Sequence, residues 1–136
     1  MSASNYLENL VLDKMFGNTD FTPSGIYYVA LSSGNPTDLG TSINEPNTVT
    51  GYQRVPHTND KEYWSTAVSG QLHNMAVITF PQAVSDWGYI DYFALFDASG
   101  LGNGNLIGWG AVTTPKYVYN GDIPTFASGS LIVTLD

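Results

Sequence analysis

The chain has 136 residues, no cysteine and a net charge of −8, with only four basic side chains. This length predicts a single domain, residues 1–136, that folds around one core without disulfides. The lack of cysteine excludes a disulfide framework and thiolate metal sites, and the few scattered basic residues argue against binding to nucleic acids or to anionic membranes. Only 12% of the residues are charged, which is about half the usual share and is typical of a surface that a partner covers.

An apolar pattern near the N-terminus predicts one short helix, at about residues 4–16. Ser4 or Asn5 can cap its start, Glu8 suits the positive end of the helix dipole, and Gly17-Asn18 can end it in the left-handed conformation. The helix either caps one end of its own domain or binds a neighbouring subunit. Its candidate interface residues, which recur near helical spacing, are Tyr6, Leu7, Leu10 and Val11.

The rest of the chain consists of short strand-like segments separated by turn residues. Segments rich in β-branched and aromatic residues predict strands at 25–32, 52–56, 75–81, 87–97, 105–113, 116–119 and 130–136. Residues 33–51 form a long predicted loop, of the kind that is usually functional or mobile. This pattern predicts an all-β fold, namely a β-sandwich or jelly roll of about seven or eight strands with one short N-terminal helix.

No group of side chains in the sequence points to catalysis or to a cofactor. His57 and His73 are too few for a metal site, and there is no Gly-x-Ser-x-Gly nucleophile motif. Asp91 and Asp97 share a strand face about 20 Å apart, too far for a glycosidase pair. The glycine-rich run after Asp97 is interpreted as a hairpin turn and not as a calcium loop. We therefore predict no catalytic, cofactor-binding or metal-binding residue, and the N-terminus has neither the basic start of a signal peptide nor a membrane span.

Aromatic side chains are the remaining candidates for binding, because the chain has nine Tyr, six Phe and three Trp. Four of them form either a sugar-stacking surface or part of the core: Trp87, Tyr89, Phe93 and Trp109. The core is the preferred position for three aromatics on the predicted strands: Phe93, Phe96 and Trp109. Tyr63 and Trp64 lie in the polar segment 57–71, so we interpret them as surface residues that contact a partner.

These segments, taken in order, resemble a family of small tailed-phage virion proteins that are often labelled tail fibre or capsid decoration proteins. The resemblance covers nearly the whole chain and includes NYLEN at 5–9, YYVALS at 27–32, GYQRV at 51–55, FALFD at 93–97, GNLIGWGA at 104–111 and SLIVTLD at 130–136. It implies a β-sandwich virion component without enzymatic activity.

The resemblance leaves the position of the protein in the virion open. Fibres are usually long and repetitive, whereas this chain is one short domain. We therefore expect a capsid decoration (cement) protein, assembled in the host cytoplasm and located on the capsid exterior. Its expected partners are the major capsid protein and further copies of itself. A tail-tip or tail-fibre-associated subunit and a carbohydrate-binding adhesion module are the alternatives.

Overall fold

Residues 1–135 are described by a computed structural model, in which they form nine β-strands and one α-helix. In chain order these are β1 (Ser2–Ala3), α1 (Asn5–Met15), β2 (Ile26–Ser32), a 3-10 turn (Thr48–Thr50), β3 (Val55–Thr58), β4 (Gln71–His73), β5 (Ile78–Thr79), β6 (Gly88–Phe96), β7 (Leu106–Val118), β8 (Thr125–Phe126) and β9 (Ile132–Thr134). The predicted all-β class with one N-terminal helix is confirmed. The strand count is higher than predicted because β1, β4 and β8 have only two or three residues each.

The strands form two layers around one main core. Five strands make an antiparallel sheet in the order β1-β7-β6-β2-β3, and β4-β9 and β5-β8 make two separate ribbons. The pairing of Leu31 with Phe93 places their side chains on the same sheet face. That face meets the ribbon side in a buried cluster whose members include Leu31, Phe93, Leu95, Ile78, Phe80 and Leu131. Because the sheet and the ribbons share this core, the arrangement is that of a sandwich.

Helix α1 starts and stops as its sequence predicts. Ser4 is the N-cap, and its Oγ accepts a hydrogen bond from the backbone N–H of Leu7 at 3.2 Å. Gly17, just beyond the last turn, has a left-handed φ of 78°. Leu7 packs partly buried against the main core, and the helix lies next to β7. One side of the helix therefore covers its own domain.

Two prolines lie inside strands. The sequence predicted a strand end at Pro56 and a gap between two strands at residues 114–115. β3 begins at Val55 and continues through Pro56, which is tolerated because β3 is an edge strand of the sheet. β7 is one long strand, and the predicted break near Pro115 is a bulge within it. Ile90 pairs with Lys116 but Tyr92 pairs with Ala111, so residues 112–115 of β7 face only residue 91 of β6.

A buried ion pair fixes the long loop at 33–51. Arg54 donates from Nε and Nη2 to the two carboxylate oxygens of Glu45, at 2.9 and 2.7 Å. It also donates from Nη1 to the carbonyls of Ala98 and Asn103, both at 2.9 Å, and its guanidinium lies 3.8 Å from the centroid of the Phe96 ring. The Arg54 and Glu45 side chains are 0% and 4% exposed. This pair therefore joins the loop to the β6–β7 turn.

Candidate interaction surfaces

Trp64 is buried, so its predicted position on the surface is wrong. Its side chain is 8% exposed and belongs to the main core, where its ring meets His57 edge to face with 4.8 Å between centroids. The backbone N–H of Trp64 donates to the carbonyl of Asp60 at 3.0 Å, and Trp64 also forms an isolated β-bridge with Asn74. These contacts turn the ring inward from a segment whose other side chains are mostly polar. The segment has no strand periodicity, so its pattern could not reveal this direction.

His57 and Tyr63 lie beside Trp64 and have structural contacts of their own. His57 is buried, and its Nε2 lies 3.1 Å from the carbonyl oxygen of Tyr63, an arrangement in which Nε2–H donates. Desolvation lowers the pKa of His57, which favours the neutral ring. Tyr63 packs partly buried against the main core. Its predicted contact with a partner stays a prediction.

The candidate residues on helix α1 are only partly available to a partner. Tyr6 is 39% exposed, whereas Leu7, Leu10 and Val11 are half-buried. A more exposed apolar group, the helix-end patch, lies at the C-terminal end of the helix: Leu12 at 55%, Met15 at 73% and Phe16 at 83% exposure. These residues are three and four positions apart, so they share one side of the helix. Apolar periodicity alone does not separate the side of the helix that faces the domain from the side that faces solvent.

The strand aromatics divide into core residues and a surface group. Phe93, Phe96 and Trp87 are buried, so the core positions predicted for the two phenylalanines are confirmed. Trp109 is half-buried, and its indole N–H donates to Asp38 at 2.9 Å. Of the four candidates for sugar stacking, Tyr89 is the most open, at 62% exposure.

Tyr89 belongs to a cluster that sequence reasoning missed. Its ring meets Tyr117 edge to face at 5.3 Å between centroids, and Tyr117 meets Tyr119 at 4.5 Å. We call Tyr89, Tyr117 and Tyr119 the tyrosine surface. Tyr89 and Tyr117 are register partners on β6 and β7, and this pairing depends on the β7 bulge. The sequence alone could not place the bulge.

The described residues show no arrangement suited to a metal ion or a membrane span. Within residues 1–135, no three His, Asp or Glu side chains lie close enough together to hold a metal. The run after Asp97 is a hairpin turn as predicted, with Asp97 Oδ1 accepting from the backbone N–H of Asn105 at 2.6 Å. No helix in that part of the chain is long and apolar enough to cross a membrane.

Comparison with known families identifies the group to which this fold belongs. The family model described as Podophage GP4 fiber I protein gp80 matches residues 2–134. The chain belongs to this family. It is therefore a virion structural protein of the small tailed-phage type that the resemblance implied. A search of curated proteins found no match.

Two groups of surface side chains in this fibre-family protein do not pack in its core, namely the helix-end patch and the tyrosine surface. The helix-end patch is apolar, whereas the tyrosine surface combines rings with the carboxylates of Asp86 and Asp122. Large exposed apolar groups are characteristic of sites where a protein meets a partner. The two groups differ in chemistry, and each suits a different partner.

Proposed function

We propose that the chain is a non-enzymatic structural subunit of a phage fibre that joins a neighbouring copy of itself through the helix-end patch. The observation that carries this proposal is the family match over residues 2–134, whose description names a fibre protein. Sequence reasoning favoured capsid decoration because the chain is short. The family description supports the fibre alternative instead.

The exposure of the helix-end patch supports assembly at this position. Burying a large apolar side chain completely contributes about 1.5–3 kcal/mol. Phe16 and Met15 are 83% and 73% exposed, so most of that contribution is unrealised in the isolated chain. In a symmetric dimer the same patch is used twice, once from each copy.

Capsid decoration, with the major capsid protein as the partner, is the other position open to a virion structural protein. The helix-end patch would then face the capsid lattice and not a second copy. An assembly experiment that includes expanded capsids therefore distinguishes the two positions.

A charged substitution in the patch tests the proposal. Phe16→Asp should leave the melting temperature nearly unchanged, because Phe16 is exposed, and should abolish self-association measured by light scattering over a concentration series. Val49→Asp is the matched control, because Val49 is 80% exposed in the 3-10 turn Thr48–Thr50 and is not part of the helix-end patch, and this variant should associate like the parent chain. Self-association of Phe16→Asp at the parental level would contradict the role of the patch. A parent chain that stays monomeric and co-sediments with expanded capsids would favour decoration.

A further inference from the structure

The tyrosine surface has the geometry of a shallow binding site. Tyr89 and Tyr117 face each other across β6 and β7, and Tyr119 extends the row beyond the end of β7. Tyr89 and Tyr119 are 62% and 59% exposed. Tyrosine is apolar over most of its ring and polar at its hydroxyl, so three adjacent rings form a surface suited to an amphipathic ligand.

Two carboxylates are held in place beside these rings. Asp86 Oδ1 accepts from the backbone N–H of Asn120 at 2.8 Å, and Asp122 Oδ2 accepts from the backbone N–H of Tyr119 at 2.9 Å. These bonds fix the turn at residues 119–122, and the phenol of Tyr117 is a further hydrogen-bonding partner of Asp86. Each carboxylate oxygen has two lone pairs, so both groups can still accept from a ligand hydroxyl. Desolvation and the neighbouring Asp86 raise the pKa of Tyr117, so its phenol stays protonated and uncharged.

A cleft of about 660 Å³ adjoins the tyrosine surface and shares Tyr117 and Asp122 with it. It lies between the bulged part of β7 and the segment that leads into β8. Its lining also includes the rings of Phe93 and Phe126, the hydroxyls of Thr113, Thr114 and Thr125, several aliphatic side chains and one cation, Lys116. This volume lies within the range of about 300–1,000 Å³ that is usual for small-ligand sites.

We propose that the tyrosine surface and the adjoining cleft bind a neutral glycan. One pyranose ring stacks through its C–H face on Tyr119 or Tyr89, its hydroxyls donate to Asp86 and Asp122, and the next sugar enters the cleft. Carboxylates only accept hydrogen bonds, which suits a ligand rich in hydroxyl donors. The proposed role is binding alone, without a catalytic step. The site does not depend on the position of the chain in the fibre, because an isolated chain already carries it.

Charge argues against an anionic glycan, and the open geometry of the rings argues against a small cation. An anionic glycan would meet two carboxylates on a chain of net charge −8. A cation would be attracted by the two carboxylates as well as by the rings, but at an exposed site both attractions are weak and salt screens them further. The rings are open to solvent and do not enclose a cage, so a flat, uncharged sugar ring fits them better than an ammonium group.

An array of neutral bacterial oligosaccharides, built from hexoses and N-acetylhexosamines, is the probe for this proposal. The parent chain should bind a subset of them, with an affinity that changes little between low and high salt because neither ligand charge nor counterion release contributes. Choline and a lysine-rich peptide serve as cationic probes. Binding of either cation that weakens with salt, without any glycan binding, would overturn the proposal.

Variants of Tyr119 connect the binding to this surface. Tyr119→Ala removes the ring and should weaken glycan binding by about tenfold or more, whereas Tyr119→Phe keeps the ring and should retain most of the affinity. Tyr6→Ala is the matched control, because it removes an exposed tyrosine, 39% accessible, from the helix. Equal binding by Tyr119→Ala and the parent chain would refute the site, as would an array on which the parent chain binds no neutral glycan.

Discussion

Replacing Arg54 with methionine should strongly destabilise the fold without disturbing any proposed binding surface. Methionine keeps part of the apolar stem but leaves the carboxylate of Glu45, which is 4% exposed, without its counter-charge. Removing one partner of a buried ion pair costs about 3–5 kcal/mol, against a total stability of about 5–15 kcal/mol for a domain. At about 4 °C per kcal/mol, the melting temperature should fall by about 12–20 °C.

Urea denaturation followed by tryptophan fluorescence gives the free energy directly, and the double variant Arg54→Met/Glu45→Gln tests the cause. Glutamine removes the unpaired charge and can still accept from the hydroxyl of Tyr52, which donates to Glu45 at 2.7 Å. The double variant should therefore be more stable than Arg54→Met alone. Lys14→Met is the control, because the Lys14–Asp20 pair has a similar distance of 2.6 Å but side chains that are 49% and 96% exposed. That change should cost less than about 1 kcal/mol. Equal losses for Arg54→Met and Lys14→Met would refute the argument from burial.

Three further predictions concern buried groups. Trp64→Ala should lower the free energy of unfolding, measured by urea denaturation, by about 3–5 kcal/mol because it leaves a cavity. Trp64→Phe should cost much less, because the buried Nε1 of Trp64 has no hydrogen-bond partner among the described residues and its removal breaks no hydrogen bond. Asn74→Ala should cost about 3 kcal/mol or more on the same assay, because Asn74 bonds the carbonyls of Ala76 and Ala127 and the N–H of Leu131. Burial lowers the pKa of His57 in the folded chain below its ordinary value of about 6.5. Near and below that pH the unfolded chain therefore binds more protons than the folded chain, and the free energy of unfolding should fall as the pH drops from 7 towards 5.5. The unfolding free energy of His57→Gln, measured across this range, should depend less on pH than that of the parent chain. An equal pH dependence would contradict the role given to His57.

Elements whose ends depend on neighbouring residues, such as helix caps and hairpin turns, were predicted from the sequence. The helix followed from its Ser4 cap and its Gly17 stop, and the β6–β7 hairpin followed from the glycine-rich run after Asp97. Strand ends were less predictable where tertiary position overrides propensity. Pro56 is tolerated because β3 lies at the sheet edge, and an edge position cannot be read from one strand alone.

The candidate surfaces were harder to predict because they depend on pairing and packing. Trp64 lies in a polar segment but is turned inward by contacts outside any regular strand, including an isolated β-bridge with Asn74. The tyrosine surface needs the register of β6 against β7 on the far side of a bulge. Exposure on helix α1 depends on which of its sides lies on the sheet. These are long-range features that neither composition nor periodicity encodes.

The position of the chain in the virion is the most direct test of the proposed function. Gold-labelled antibodies raised against this chain and applied to intact particles would show it by electron microscopy. The fibre assignment predicts gold on the thin appendages of the particle and an unlabelled shell. Gold distributed over the whole capsid surface, with unlabelled appendages, would contradict it and support a decoration protein.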